Sequence, residues 1–233
     1  MYRSGKLYTG SVGGQSIYRF DVDDFSKTTA ATPDKVSEPH TAGNQITLGL
    51  CRSGSKDRIY GCLTSLNGSE LGGLAYWDED DFTYKKSILV PGVIFANACE
   101  VDDDNDLVYF TATIEGSVYA CDRGLDACNL VVTDTSLKPV TTFGVNGIAL
   151  MDDYMLVCNT DSGAIIKIPH NKGTVTGSLT TLTVPDPDND LVYANGLIKI
   201  DDDVIVLSTR NELVVVEAVD DFDSVQRIYS INL

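Results

Sequence analysis

The sequence of 233 residues is short of basic side chains. Lys and Arg number 17 against 34 Asp and Glu, which gives a net charge of −17. Such a negative field repels phosphate backbones, so we expect no nucleic-acid partner. Histidine is also scarce, with His40 and His170 as the only two. No Ser-His-Asp arrangement and no nucleophile elbow can be recognised, which argues against serine-hydrolase chemistry.

Long apolar runs are missing as well. None approaches the roughly 20 residues needed to cross a bilayer, so no membrane span is expected. The opening segment MYRSGKLYTG has no apolar stretch behind its charges, and no signal peptide is visible there. Neither a cytoplasmic nor an exported location is favoured. Hydrophobic residues still make up 43% of the chain, so the sequence is that of a packed protein.

The six cysteines include no CxxC pair, which argues against a structural zinc site. Four lie in strand-like runs, where free buried thiols are common: Cys51, Cys62, Cys99 and Cys158. Cys121 and Cys128 flank the segment CDRGLDAC and can pair if the chain is exported. The sequon Asn67-Gly68-Ser69 also hints at export, although one sequon is unremarkable at this length.

An internal repeat dominates the second half of the chain. FANACEVDDDNDLVYFTAT, GVNGIALMDDYMLVCNT and YANGLIKIDDDVIVLST align, each with Asn, a small or apolar run, an acidic turn and an apolar strand. The aligned residues Asn97, Asn146 and Asn195 are separated by 49 residues each time. Because whole strand patterns move with them, the chain is built from copies of one unit.

Each copy continues with a third strand, a DDF turn in three copies, and a fainter fourth strand. The third strands read QSIYRFD, GLAYWDED, GSVYACD, GAIIKIP and NELVVVE. Alternating and β-branched residues predict strands throughout, and no helix is convincing. Four short strands per 45–50 residues are typical of a β-propeller blade. We therefore predict an all-β fold, with about five four-stranded blades in one domain spanning residues 1–233.

The first two copies are irregular. In copy two Leu48 stands where Asn is expected, and copy one is predicted to lack its first strand entirely. The chain ends at the fourth strand of copy five. A propeller must close its ring, because open blades expose strand edges. Either five blades close with a patched first blade, or the chain is an N-terminally truncated six-bladed propeller, and we favour the second.

The repeated asparagines are the candidate site. In a propeller the first strand of each blade lines the central channel, so Asn97, Asn146 and Asn195 are expected to converge on one rim. Three amide oxygens there suit a hard cation such as Ca²⁺, although at least one carboxylate is wanted as well. Alternatively, each Asn fastens its strand to the next blade by hydrogen bonds.

Loops between second and third strands are expected at the same mouth. They carry Glu115, Asp161 and Arg210, and the longer loop Leu66–Leu71 joins them. Glu115 and Asp161 are weak candidates for a catalytic base or a metal ligand, and ordinary solvated loop acids are the alternative. His170 follows a third strand and is expected at the opposite rim.

The segments VNGIALMDDYMLVCNTDSGAIIKI and ANGLIKIDDDVIVLSTRNELVVVE resemble the gluconolactonase and regucalcin (senescence marker protein) family of six-bladed propellers. The resemblance covers residues 95–217, and strictosidine synthase-like and paraoxonase-like propellers share its repeat. It implies one channel cation, Ca²⁺ or Zn²⁺, and hydrolysis of sugar lactones. By motif, Asn146 matches the metal-binding Asn, and Asn97 the substrate-contacting Asn.

Two departures from that family weaken the catalytic expectation. Asn195 stands where the family has an Asp that binds metal and acts as base, and the family's upstream Glu has no counterpart. We therefore expect metal contacts from Asn146 and Asn195, substrate contacts from Asn97 and Arg210, and an impaired lactonase. The alternatives are a non-catalytic propeller that binds a small molecule or a protein, and a strictosidine synthase-like or paraoxonase-like relative.

Overall fold

A computed structural model describes residues 1–3, 6–11, 14–21, 34–37, 43–182, 191–219 and 221–232. Within these residues the chain folds into five antiparallel sheets, which confirms the predicted propeller; four sheets have four strands, and that of blade four has a short fifth strand. Blades one and two comprise β1 (Tyr2–Arg3), β2 (Lys6–Thr9), β3 (Tyr18–Asp21), β4 (Asp34–Lys35), β5 (Ile46–Ser53), β6 (Arg58–Thr64), β7 (Gly73–Asp78) and β8 (Tyr84–Leu89).

The other three blades follow in chain order. Blade three comprises β9 (Ala96–Asp102), β10 (Leu107–Ala112), β11 (Ser117–Asp122) and β12 (Cys128–Thr133). Blade four comprises β13 (Val145–Leu150), β14 (Tyr154–Asn159), β15 (Ile165–Asn171), β16 (Thr174–Val175) and β17 (Thr180–Leu182). Blade five comprises β18 (Leu197–Lys199), β19 (Val204–Ser208), β20 (Glu212–Val219) and β21 (Ser224–Asn232). A 3-10 turn at Thr135–Leu137 is the one helical element of the described residues, where no helix is long enough to span a membrane.

Alternating side chains join each blade to its two neighbours. In β14, Met155 and Val157 pack in the cluster shared with blade three, whereas Leu156 and Cys158 pack in the cluster shared with blade five. All four are fully buried. Because successive residues of a strand point to opposite faces, the period-two pattern of the sequence builds the interfaces on both sides of a blade.

The inner strands of blades two to five, β5, β9, β13 and β18, pack side by side. Their backbones approach so closely that some positions admit only glycine. A Cβ atom on Gly147 would lie 2.5 Å from Leu197 N, and one on Gly49 would lie 2.2 Å from Asn97 O. The glycine at this position of β5 and of β13 is therefore required by the contact with the following blade.

Two of the DDF turns lie in the described part of the chain. Phe82 and Phe222 both adopt positive φ, at 56° and 54°. Phe222 is completely buried and meets Tyr154 edge-on, with ring centroids 6.3 Å apart. The strained backbone is offset by this burial, so the turn places an aromatic anchor beneath the preceding blade. The third DDF turn, which ends at Phe25, lies outside the described residues.

Disulfides correct one expectation and fulfil another. Cys51 in β5 is bonded to Cys99 in β9, so these two thiols are not free, and the bond ties blade two to blade three. Sequence reading missed this pair because it cannot show which strands become neighbours. Cys121 and Cys128 pair across the loop that they flank. The other two cysteines are free and fully buried, as expected: Cys62 and Cys158.

The first blade is more complete than predicted. A two-residue inner strand is present, with Tyr2 opposite Leu7 and Arg3 opposite Lys6. The Met1 amino group donates to Tyr8 O at 3.0 Å, which extends this pairing. The prediction that copy one lacks its first strand entirely is therefore wrong, because a hairpin needs only a few backbone hydrogen bonds that no sequence pattern reveals.

Among the described residues, blade five is packed against a neighbour on one side only. We call the side of a blade that looks toward the following blade its forward face. Ala149 on the forward face of blade four is 2% exposed, and Ile198 at the equivalent position of blade five is 62% exposed. Other large side chains of blade five are exposed as well: Ile200, Ile228, Tyr229 and Ile231.

Candidate functional site at the channel mouth

The three repeat asparagines line one cavity of about 500 Å³ at the mouth of the channel. Asn146 is buried, Asn97 is half-buried and Asn195 is exposed. The remaining lining residues come from all five blades: Thr9, Gly10, Ser11, Leu48, Gly49, Leu66, Phe95, Ala98, Phe143, Thr160 and Gly196. The expected convergence of the asparagines therefore occurs.

A β-bulge in the inner strand brings Asn146 to the mouth. In blade four, Val145 pairs with Asn159 and Ile148 pairs with Val157, so Asn146 and Gly147 together face a single residue. Val145 and Ile148 consequently lie in the same cluster against blade three, although strict alternation would separate them. The extra residue releases Asn146 from the interface and turns it toward the channel.

The same bulge recurs in blades two and three. Register shifts occur between Thr47 and Leu50 in β5, and between the partners of Phe110 and Ala112 in β9. In both strands the bulge falls at the position aligned with Asn146, namely Leu48 and Asn97. Sequence reading missed the bulge, although the repeated Asn followed by a small residue is its signal.

Asn146 has a structural and a channel-facing role at once. Its Nδ2 donates to Thr160 Oγ1 at 3.0 Å, and that hydroxyl donates to Ala194 O of blade five at 2.8 Å. This chain of bonds fixes the amide, so Oδ1 is the atom left for the cavity. Within the described residues, the side chains of Asn97 and Asn195 have no hydrogen-bond partner, which leaves both amides available to a ligand.

Aromatic and aliphatic side chains form the rim above the amides. The rings of Phe95 and Phe143 lie 5.7 Å apart between centroids, and Leu66 lines the same cavity from the loop after β6. Phe95 and Tyr193 each precede a repeat Asn by two residues, and Phe143 by three. This spacing is the sequence signal for the rim, and sequence reading missed it.

The two candidate catalytic acids, Asp161 and Glu115, accept hydrogen bonds from neighbouring loops. Asp161 Oδ2 accepts backbone N–H bonds from the loop before β13, at 2.5 Å from Thr141 and 2.7 Å from Thr142. Burial alone would raise the pKa of Asp161, but these backbone bonds outweigh it and the pKa is lowered. Glu115 Oε1 accepts from Ile94 N at 2.7 Å. Neither carboxylate lines the cavity.

Arg210 lies beside the mouth, outside the main cavity. Its guanidinium stacks over the Tyr193 ring at 4.1 Å from the centroid, in a smaller cleft lined also by Glu212. Its role in substrate binding, like the roles assigned to the asparagines, stays a prediction. His170 lies at the opposite rim, where its backbone N–H donates to the backbone oxygen of Asp153 in the turn before β14. Burial lowers its pKa. His40 lies outside the described residues.

The chemistry of the lining is neutral. Its described residues supply amide, hydroxyl and backbone oxygens but no carboxylate, imidazole or ammonium group. Nowhere in the described part of the chain do three His, Cys, Asp or Glu side chains group as metal ligands would. A divalent cation needs charged ligands to offset its dehydration, so the residues present fit such an ion poorly. The arrangement can orient an uncharged ligand by hydrogen bonds and pack its apolar part on the rim.

No known protein family matches the sequence, and no curated protein matches it. Solved structures match its fold. A Lactobacillus plantarum protein superposes with a TM-score of 0.64 at 17% identity, covering 99% of this chain and 67% of that one. The Malassezia sympodialis allergen Mala s 1 gives 0.73 at 9% identity, covering 98% and 76%.

A third similar structure is a Bacteroides fragilis protein assigned by inference as a 6-phosphogluconolactonase. It gives a TM-score of 0.62 at 12% identity and covers 97% of this chain and 67% of that one. All three proteins are thus longer than this chain. Identities this low show the fold alone: the chain is a β-propeller, similar in architecture to propellers that include inferred lactonases.

Proposed function

We propose that this chain is a binding propeller that holds an uncharged small molecule at the channel mouth. The observation that carries the proposal is the neutral lining of a cavity of about 500 Å³ in a chain of net charge −17. An acidic protein that keeps charge out of its central cavity favours a ligand without charge, because an ion there would lose hydration without gaining a partner.

The ligand class follows from the two parts of the cavity. The amides of Asn97 and Asn195 can each donate and accept, which suits hydroxyl and carbonyl groups. Phe95 and Phe143 present ring surface above them and suit an apolar or aromatic portion. An amphipathic molecule such as an aryl glycoside or a lactone combines both parts.

The test compares a neutral probe with an anionic one. The neutral 4-nitrophenyl glucoside and the anion 4-nitrobenzoate are each titrated into the full chain, and binding is followed by saturation-transfer NMR. We expect the glucoside to bind and the anion not to bind. Asn97→Ala and Asn195→Ala should each weaken glucoside binding by about tenfold, the loss of one hydrogen bond. Equal binding of both probes, or binding indifferent to these substitutions, would contradict the proposal.

Lactone hydrolysis with a divalent cation is the second candidate. It is supported by the fold shared with inferred 6-phosphogluconolactonases and by Asn146 Oδ1, the fixed oxygen that faces the cavity. Asn146 and Asn195 would be the metal ligands in this reaction. The family resemblance implies that the ion is Ca²⁺ or Zn²⁺. Calorimetric titration of both ions, with and without Asn146→Ala, tests the binding.

Hydrolysis itself is tested with D-glucono-1,5-lactone in a pH-stat. Asn195→Asp introduces the carboxylate that a cation and a base both need. Turnover by the wild-type chain would place this candidate first. Turnover only in Asn195→Asp would identify the wild type as a binding propeller whose scaffold still supports the reaction.

A further inference from the structure

The loop between β6 and β7 carries the sequon Asn67-Gly68-Ser69 at the channel mouth. It is the only Asn-x-Ser/Thr sequence in the chain. Residues 66–69 are all exposed, and Gly68 has a φ of +69° with no atom within 4 Å of where a Cβ would stand. The loop tip therefore stands clear of the blades, which leaves space for a bulky group on Asn67.

The amide of Asn67 is held in a defined orientation. Its Oδ1 accepts hydrogen bonds from Ser69 Oγ at 2.6 Å, from Ser69 N at 3.0 Å and from Ser65 Oγ at 3.0 Å. All three bonds engage the oxygen. Within the described residues nothing pairs with Nδ2, so the nitrogen is the atom presented to solvent. The sequon hydroxyl is thus already bonded to the amide whose nitrogen would react.

The cysteines independently indicate an oxidising compartment. Two disulfides are present, Cys51–Cys99 and Cys121–Cys128. The two free thiols of the described chain are fully buried, and burial raises the pKa of both. Stable disulfides without an exposed free thiol are typical of proteins that mature along the secretory route, which is also where sequons are modified.

We propose that Asn67 Nδ2 is the acceptor of an N-linked glycan. The donor is an oligosaccharide carried on a lipid pyrophosphate. A bond forms between Nδ2 and the anomeric carbon of the terminal sugar, while the bond from that carbon to the phosphate oxygen breaks. The electron pair leaves with the lipid pyrophosphate, and the amide gives up one proton, so nothing is oxidised or reduced.

The glycan would stand at the lip of the candidate site. Leu66, the neighbour of Asn67 in sequence, lines the cavity and is itself largely exposed. Sugars on Asn67 would shield this leucine and also Leu71, which is exposed on the same loop. The inference is independent of the proposed function, since it holds whether the cavity binds or hydrolyses its ligand.

The experiment produces the full chain behind a secretion signal in cultured animal cells. Wild type, Asn67→Gln, Ser69→Ala and Ser69→Thr are compared by intact mass, before and after peptide-N-glycosidase, in both the cell-associated and the secreted fractions. We expect one glycan on the wild type and on Ser69→Thr, and none on the other two variants. Alkylation without reductant should label neither disulfide pair in any variant, which verifies that all four chains fold.

Two results would overturn the proposal. One is a wild-type chain of unmodified mass while a co-expressed reporter glycoprotein is fully glycosylated. The other is a glycan that persists in Asn67→Gln. Because the cell-associated fraction is also measured, a variant that folds poorly and is retained still reports whether residue 67 was modified.

Discussion

Blades four and five are copies of the same sequence repeat, but they differ in how their two faces are packed. Blade four packs on both sides, with Ala149 and Leu156 buried on its forward face. Blade five carries Ile198 and Val206 at the equivalent positions, where Ile198 is 62% exposed and Val206 is half-buried. The same alternating pattern therefore yields an interface in one blade and an open surface in the other.

A third blade extends the comparison. Glu100 in β9 is 49 residues before Ala149 and pairs with Tyr109, which packs against blade four. One position of the repeat is thus a carboxylate, a methyl group and an exposed isoleucine in three successive blades. The alternating pattern places these side chains on the forward face of their blades. Whether that position is buried, and how it affects stability, depends on the blade that follows.

Replacing Leu156 by Ala should have the largest effect on stability. The side chain is fully buried between two blades, so its truncation is expected to lower the free energy of unfolding by about 3 kcal/mol. The matched change Val206→Ala should cost under about 1 kcal/mol, because less surface is lost from contact. Urea unfolding of both variants measures the difference. Equal costs would mean that the forward face of blade five is covered in solution.

Glu100→Gln should stabilise the protein at alkaline pH. Burial raises the pKa of Glu100 to about 7 from an ordinary value of 4.5, so folding disfavours the ionised carboxylate. The wild type then loses stability as pH rises from 4.5 through about 7. We expect a gain of about 1–2 kcal/mol at pH 8, after allowance for solvent at this half-buried group.

The control for Glu100→Gln is the pH dependence itself. Unfolding is measured at pH 4.5, 6 and 8, and the difference between variant and wild type should vanish at the acidic end. Ala149→Ser, at the equivalent position of blade four, introduces no ionisable group and should show no such trend. A gain for Glu100→Gln that is the same at every pH would contradict the assignment.

Asn146→Ala and Asn195→Ala should separate fold from binding. Asn146 donates to Thr160 in the contact between blades four and five, so its loss should cost about 1 kcal/mol of stability. Asn195 is exposed and should cost less than about 0.5 kcal/mol. Thermal unfolding gives the first comparison, and glucoside titration should show a loss of affinity in both variants. Unchanged stability in Asn146→Ala would make its amide solely a ligand group.

Ile198→Ser should have the smallest effect. Because this side chain is already largely in water, we expect stability to change by less than about 0.5 kcal/mol. Binding of an apolar fluorescent dye should fall, since the forward face of blade five loses part of its apolar surface. A loss of stability as large as that of Leu156→Ala would show that another surface covers Ile198.

The sequence was sufficient to predict the blades because a four-stranded unit leaves a local signature. Strand order follows from hairpins, and the spacing of Asn97, Asn146 and Asn195 placed three inner strands within one or two residues of their observed starts. It missed the bond between Cys51 and Cys99, which depends on the lateral contact of two blades. It also missed β1, whose two residues carry no pattern of their own.

The candidate site was predicted in outline only. The equal spacing brought three amides to one cavity, but the neutrality of that cavity depends on where the loop acids go. Asp161 and Glu115 are directed to backbone N–H groups of neighbouring loops, a choice made by loop conformation rather than by residue type. The aromatic rim of Phe95 and Phe143 likewise depends on tertiary structure, since the two rings come from different blades and meet in space.

The bulges of the inner strands place side chains at the mouth of the channel that can be substituted separately from the packed core. At each bulge one side chain lies outside the apolar packing between blades, while a small neighbour such as Gly49 or Gly147 keeps the adjoining backbones in contact. The half-buried members of the set, Leu48 and Asn97, can therefore be varied together in a combinatorial library without repacking a core. Under the proposed function, different residues of the same strands specify the ligand preference and the fold, so this propeller is a suitable starting point for receptor design.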